Sequence, residues 1–363
     1  MNQELQKLVD SIEPLDVGAM GRAQGRLDSL TKPQGSLGRL EELAQWLSGI
    51  TRQDRPRLSR KVIFTFAADH GVSQEGVSAY PAAVTPEMVR NFLRGGAAIN
   101  VLARQAKADV VVADFGVAAE FGDLPGLISC KIAHGTANMA KGPAMTEEQA
   151  VQAILSGVRL ALAEKERGAA LFATGDMGIG NTTAASALVA ALTGAPVEEV
   201  TGRGTGIDNA TFLHKVSVIR QALHVNQVNS RDALGVLASV GGFEIAGLVG
   251  VILAGAATRT PVLIDGFISG AAALVACRMA PQKPVRDYLA MAHLSVEKGH
   301  QKIVRELSLV PLLDFRMRLG EGTGAALAMP LLDAACAIIN EMATFQEAGV
   351  SQKNEAEHPA PRP

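Results

Sequence analysis

Apolar positions along this chain fall into short, nearly unbroken runs separated by longer stretches with helical spacing. The first run, Lys61-Val62-Ile63-Phe64-Thr65-Phe66-Ala67-Ala68, predicts a buried strand that ends at Asp69-His70-Gly71. Ala108-Asp109-Val110-Val111-Val112-Ala113 before Asp114-Phe115-Gly116 predicts a second. Ala169-Ala170-Leu171-Phe172-Ala173 before Thr174-Gly175-Asp176 predicts a third, and Thr260-Pro261-Val262-Leu263-Ile264 before Asp265-Gly266 a fourth. Helical spacing over 95–105, 147–167 and 182–193 lies between them, so the strands are expected to be parallel and joined by crossover helices. Residues 3–50 read as helices interrupted by the turn Thr31-Lys32-Pro33-Gln34-Gly35-Ser36, with Leu40, Leu43, Trp46 and Leu47 on one face. Apolar residues 243–257 include Glu244 and several glycines and precede Arg259, which favours a buried helix over a membrane span. The expected fold is an open, mostly parallel α/β sheet with helices on both faces.

Each strand thus ends near an acidic residue beside glycine. Ligands of open parallel sheets bind beyond the carboxyl ends of the strands, so Asp69, Asp114, Asp176 and Asp265 are expected around one crevice. The alternative for each is an ordinary turn residue. Gly175-Asp176-Met177-Gly178-Ile179-Gly180-Asn181-Thr182-Thr183 leads from a strand into a helix. Its glycines and the N–H groups of the helix start suit a phosphate, with Asn181, Thr182 and Thr183 as further donors. It is neither a Walker A loop nor a GxGxxG turn, which argues against nucleoside triphosphates and dinucleotides. Thr201-Gly202-Arg203-Gly204-Thr205-Gly206 forms a second such loop ahead of Lys215, and His293-Leu294-Ser295-Val296-Glu297-Lys298-Gly299-His300 adds Ser295, which could equally be a helix cap. Two such loops favour a phosphorylated substrate. In Leu319-Gly320-Glu321-Gly322-Thr323-Gly324 one carboxylate stands among small residues, free to approach a ligand, and Glu321 is the first candidate for a general base. Tyr80, Met88 and Leu319 could line an aromatic-ligand pocket or serve only as packing.

Composition narrows the function. A hydrophobic share of 48% over 363 residues permits a large aliphatic core, and a net charge of −2 from interspersed 34 basic and 36 acidic residues argues against nucleic acid or a membrane surface as partner. Cys130, Cys277 and Cys336 have no CxxC or His-rich companions, so buried free thiols are expected rather than zinc ligands or disulfides. Asp69-His70 lacks a second ligand pair, so neither a metal nor a cofactor is expected. The polar, charged N-terminus lacks a secretory layout, which suggests a cytoplasmic enzyme with no membrane anchor. The segment 351–363, rich in Glu, Pro and Lys, is expected to be disordered.

Six motifs in order resemble the nicotinate-nucleotide–dimethylbenzimidazole phosphoribosyltransferase family of cobalamin lower-ligand synthesis. They begin at Thr31-Lys32-Pro33-Gln34-Gly35-Ser36-Leu37-Gly38-Arg39-Leu40-Glu41, Ala68-Asp69-His70-Gly71-Val72 and Gly178-Ile179-Gly180-Asn181-Thr182-Thr183. Val262-Leu263-Ile264-Asp265-Gly266-Phe267, residues 293–299 and residues 318–326 complete the set. The resemblance covers roughly residues 20–350 and implies a Rossmann-like main domain over 61–310. It further implies a small helical lobe built from 1–60 with the other chain end, an active-site loop and helix over 311–350, and a homodimer. It also implies transfer of the 5-phosphoribosyl group of nicotinate mononucleotide to 5,6-dimethylbenzimidazole. On this resemblance Glu321 is the base and Asp176 its helper or a ribose contact. Gly178, Asn181, Thr182, Thr183, Gly204, Lys215 and Ser295 hold the phosphate and ribose, and Asp69, Tyr80, Met88 and Leu319 border the base. Asp176 stands where the family carries glutamate, which leaves its role open.

Overall fold

In the computed structural model, which describes residues 2–351, the run Lys61–Ala68 is strand β1 and is buried along its whole length. The other strands are β2 (Asp109–Gly116), β3 (Leu127–Ser129), β4 (Leu171–Met177), β5 (Val262–Ile264) and β6 (Leu289–Met291). They form one sheet in the order β3-β2-β1-β4-β5-β6, with every neighbouring pair parallel. This is the doubly wound order, in which the chain winds outward in both directions from β1 and β4 and leaves a crevice beyond their carboxyl ends. The expected α/β architecture is present. The three-residue strands β3 and β6 have no counterpart in the sequence reading, whereas β5, equally short, is marked by the Asp265-Gly266 turn that follows its apolar run.

Both faces of β1 are covered, as its pleat requires. Phe64 and Phe66 share one face with Phe172 and Phe115, their rings 5.3 and 4.3 Å from those partners. The helix Phe243–Ala257 lies on that face: a Cβ added at Gly247 would come within 2.5 Å of the Phe115 ring, and one at Gly255 within 2.4 Å of Val262. The same helix presses on Glu147–Glu166. A Cβ at Gly157 would sit 1.9 Å from the Gly247 carbonyl oxygen, and one at Gly250 2.0 Å from that of Ile154, so glycine allows the two backbones to touch. On the opposite face, Ile63 and Thr65 meet the Gly320–Gly322 loop.

The chain divides into two units. The larger comprises residues up to Pro14 and Leu58–Pro330, the smaller Leu15–Arg57 with residues from Leu331 onward. The N-terminal segment is three helices, Gln3–Asp10, Val17–Ser29 and Arg39–Thr51, and the first groups with the large unit through buried Leu5 and Val9. In the small unit Ala23, Leu27, Leu30, Ala44, Ala335 and Ile339 form a core, and the Thr31–Gly38 loop is fastened by a buried Lys32–Glu41 ion pair at 2.9 Å. The helix Thr323–Glu341 has the length and apolarity of a membrane span, yet Ala325, Ala326, Met329, Leu332, Ala335 and Ile339 are buried within the protein. Beyond Ser351 the tail expected to be disordered lies outside the described residues.

Candidate active site

Gly320, Glu321 and Gly322 all have left-handed backbones, with φ of 85°, 64° and 98°. Lack of space dictates the glycines and the path: a Cβ at Gly175 would lie 2.3 Å from the Glu321 carbonyl oxygen, and one at Gly322 2.6 Å from the Ile63 side chain. The loop is held across the ends of β1 and β4. Thr65 Oγ1 donates to the Glu321 carbonyl at 2.9 Å, and the Glu321 N–H donates to the Asp176 carbonyl at 3.2 Å. Asp265, beyond β5, accepts from Gly322 N at 3.2 Å with one carboxylate oxygen and from Gly324 N at 2.7 Å and Ala325 N at 3.1 Å with the other. Burial nevertheless pushes the Asp265 carboxyl up to about 7, against the pull of these three N–H donors.

The Glu321 carboxylate is itself buried and accepts from Ile99 N at 3.1 Å, in the first turn of the helix Ala98–Ala106. Burial raises its pKa, and the Ile99 N–H works in the other direction. This carboxylate has a raised proton affinity and a fixed orientation, as a general base needs.

Asp176 ends β4 within the same space. Burial, and then the charges of Asp265 and Glu244, hold its carboxyl well above the usual range, although Asn181 Nδ2 donates to it at 3.0 Å. Asp176 is therefore suited to carry a proton and donate a hydrogen bond, and Glu321 is the better acceptor of the two.

The two glycine-rich loops meet at Lys215. Its buried ammonium donates to Thr182 Oγ1 at 2.8 Å, and a Cβ at Gly204 would lie 2.8 Å from that hydroxyl and 3.4 Å from the ammonium. Burial brings the Lys215 pKa down to about 8, with Glu297 opposing the shift. Glu297 accepts from Gly204 N at 3.1 Å, and Arg318 donates to the Gly204 carbonyl at 2.6 Å. A narrow cleft is lined by Asp176, Asn181, Thr182, His293, Ser295, Glu297, Arg318, Leu319 and Gly320. A larger groove lined by Met145, Asn226 and Phe243 shares no residue with it. Ser295 N donates to His300 Nδ1 at 3.0 Å, which puts the His300 proton on Nε2, 3.1 Å from Met291 Sδ.

Other candidates have different surroundings. Asp69 is buried and accepts from Ala118 N at 2.8 Å, while Asp114 accepts from Gly116 N and Val117 N and pairs with Lys131 at 3.0 Å. Both thereby tie down the loop after β2, and neither lines the cleft. His70 and Glu244 form a buried pair at 2.7 Å beneath Gly178 and Gly180, and Ile179 N is held by Thr85 Oγ1 at 3.1 Å. Thr183 is buried in the first turn of the helix Asn181–Thr193. Tyr80 is exposed and Met88 half-buried, and neither is among the residues lining this cleft, whereas Leu319 borders it. Glu297, Arg318 and His293 were not singled out as site residues. Each lies within one of the polar or glycine-rich motifs, but only the fold brings them into one cleft with Asp176.

The chain matches the phosphoribosyltransferase family over residues 12–350. It is 58% identical to nicotinate-nucleotide–dimethylbenzimidazole phosphoribosyltransferase from Chloroflexus aggregans, across 97% of this chain and 99% of that one. It is 55% identical to the protein of that name from Geobacter metallireducens, across 96% and 98%. The crystal structure of CobT from Thermus thermophilus superposes with a TM-score of 0.88 at 49% identity, covering 93% of this chain and all (100%) of that one. With this match in sequence, fold and extent, the chain belongs to the nicotinate-nucleotide–dimethylbenzimidazole phosphoribosyltransferase family.

Proposed function

We propose that Glu321 is the general base in the transfer of a 5-phosphoribosyl group from nicotinate mononucleotide to 5,6-dimethylbenzimidazole, giving α-ribazole 5′-phosphate and nicotinate. The observation that carries this reading is the buried Glu321 carboxylate, fixed by Ile99 N–H at the β1/β4 switch point and raised in proton affinity. One benzimidazole nitrogen gives its proton to Glu321 while the ring bonds to C1′. The C1′–N bond to the pyridinium breaks, and its electron pair neutralises the departing ring. Because the leaving group begins as a cation, its departure requires no proton donor.

Lys215, Thr182, Thr183, Ser295 and the backbone of Gly178 and Gly204 would hold the 5′-phosphate, and a protonated Asp176, steadied by Asn181, would donate to a ribose hydroxyl. Fixing the phosphate orients C1′ toward the incoming base, which supplies much of the acceleration. Leu319, Met88, Tyr80 and Asp69 are assigned to the side on which the base enters. The protein acts in the cytoplasm as a homodimer in this reading, with residues 311–350 supplying the active-site loop and helix.

Glu321→Gln keeps the shape of the side chain and removes its basicity. Steady-state kinetics should show kcat reduced by about 100-fold or more, with the donor KM little changed. Turnover within about threefold of wild type would sink the assignment of the base.

A further inference from the structure

The phosphate cradle contains an anion of its own. Glu297 accepts the Gly204 N–H at 3.1 Å with one oxygen, while its other oxygen is buried and has no hydrogen-bond partner. Gly204 also lies against the Lys215 ammonium, so carboxylate and ammonium converge on one residue. Burial raises the proton affinity of Glu297, against the pull of Lys215, the Gly204 N–H and Arg318, and burial lowers that of Lys215, against the pull of Glu297, so each charge steadies the other. Packing leaves the carboxylate little freedom, since a Cβ at Gly202 would overlap its free oxygen. A phosphate bound by Lys215 and Gly204 N–H would meet this carboxylate as a like charge in a poorly hydrated space.

We propose that Glu297 is a resident counter-anion that occupies the Gly204 N–H beside Lys215 in the free enzyme and limits affinity for phosphorylated ligands. This rests on the reading that the 5′-phosphate sits at Lys215. Substrate and product carry the same phosphate, so unlimited affinity there would bind both equally and slow product release without helping chemistry. Glu297 keeps Lys215 charge-balanced when the site is empty and opposes retention of the phosphate once transfer is complete.

The test measures binding of nicotinate mononucleotide and of its dephosphorylated riboside to the full-length protein by calorimetry. Glu297→Gln keeps an acceptor for Gly204 N–H and removes the charge, so the mononucleotide should bind about tenfold tighter and the riboside within about twofold of wild type. Its kcat should fall together with KM, as expected when product release slows. Glu297→Asp retains the charge and should stay within about threefold of wild type for both ligands. Unchanged or weaker mononucleotide binding in Glu297→Gln overturns the proposal, as does equal tightening in Glu297→Asp. If the amide is not tolerated by the fold, Glu297→Met gives the same uncharged comparison. Lys215→Ala separates the two levels. It should weaken the mononucleotide alone, and if it does not, the phosphate location itself is wrong.

Discussion

Glu321 occupies a left-handed backbone that costs a side-chain-bearing residue about 1 kcal/mol, and the glycines on both sides share that geometry. The loop keeps it because Asp265 gathers three N–H groups, from Gly322, Gly324 and Ala325. With Glu321 as the base proposed above, Asp265 acts through it as a positioning residue. Asp265→Asn replaces one acceptor oxygen with a donor facing those N–H groups, and kcat is expected to fall about 10- to 100-fold through misplacement of the base. Steady-state kinetics with a thermal melt to verify folding would check this, and a folded variant with wild-type kcat would remove Asp265 from the argument. In the sequence, Glu321 was recognisable from its glycine setting, whereas Asp265 looked like one of four equivalent aspartates. Nothing local distinguishes a carboxylate that meets ligand from one that caps a distant loop. That difference lies in the 57 residues of chain separating Asp265 from Gly322, which folding closes.

Among the elements, β1, β2, β4 and β5 could be read from apolar runs, and the helices 147–166, 181–193 and 243–257 from composition and spacing. The contact between the first and last of these helices could not. It depends on Gly157, Gly247 and Gly250 coming into register, and helical glycines by themselves indicate only flexibility. Gly250→Ala tests the register. Helix propensity alone would favour alanine by about 1 kcal/mol. A Cβ 2.0 Å from the Ile154 carbonyl oxygen forces the two helices apart, so a net loss of about 2 kcal/mol or more is expected in denaturant unfolding. A neutral or stabilising result would mean that the helices separate without cost. The two glycine-rich loops show the same division. Both were visible as glycine-rich turns, but their meeting at Lys215 and the carboxylate of Glu297 between them arise from packing.

For the whole molecule, the sheet order brings Asp176, Asp265 and Glu321 into one buried region, and their mutual repulsion with burial sets the protonation of the site. Asp176 has its pKa raised on folding from an ordinary value of 3.8, so the folded state holds that proton more tightly. Its contribution to stability is complete below the unfolded value and is lost as pH rises toward the folded one. Compared with Asp176→Asn, wild type should therefore lose stability progressively between pH 4 and pH 8 in denaturant unfolding. A constant difference between the two proteins across that range would refute the raised pKa. The sequence by itself determined β1, β2, β4 and β5, the parallel α/β class, the two glycine-rich loops and the glycine-bound Glu321, because each depends on residues adjacent in the chain. Tertiary structure alone decided that Asp69 and Asp114 tie loops, that Asp265 holds the loop carrying Glu321, that burial raises the Asp176 pKa and that Glu297 takes the Gly204 N–H beside Lys215. The reason is that burial, charge repulsion and long-range hydrogen bonding are set by neighbours in space.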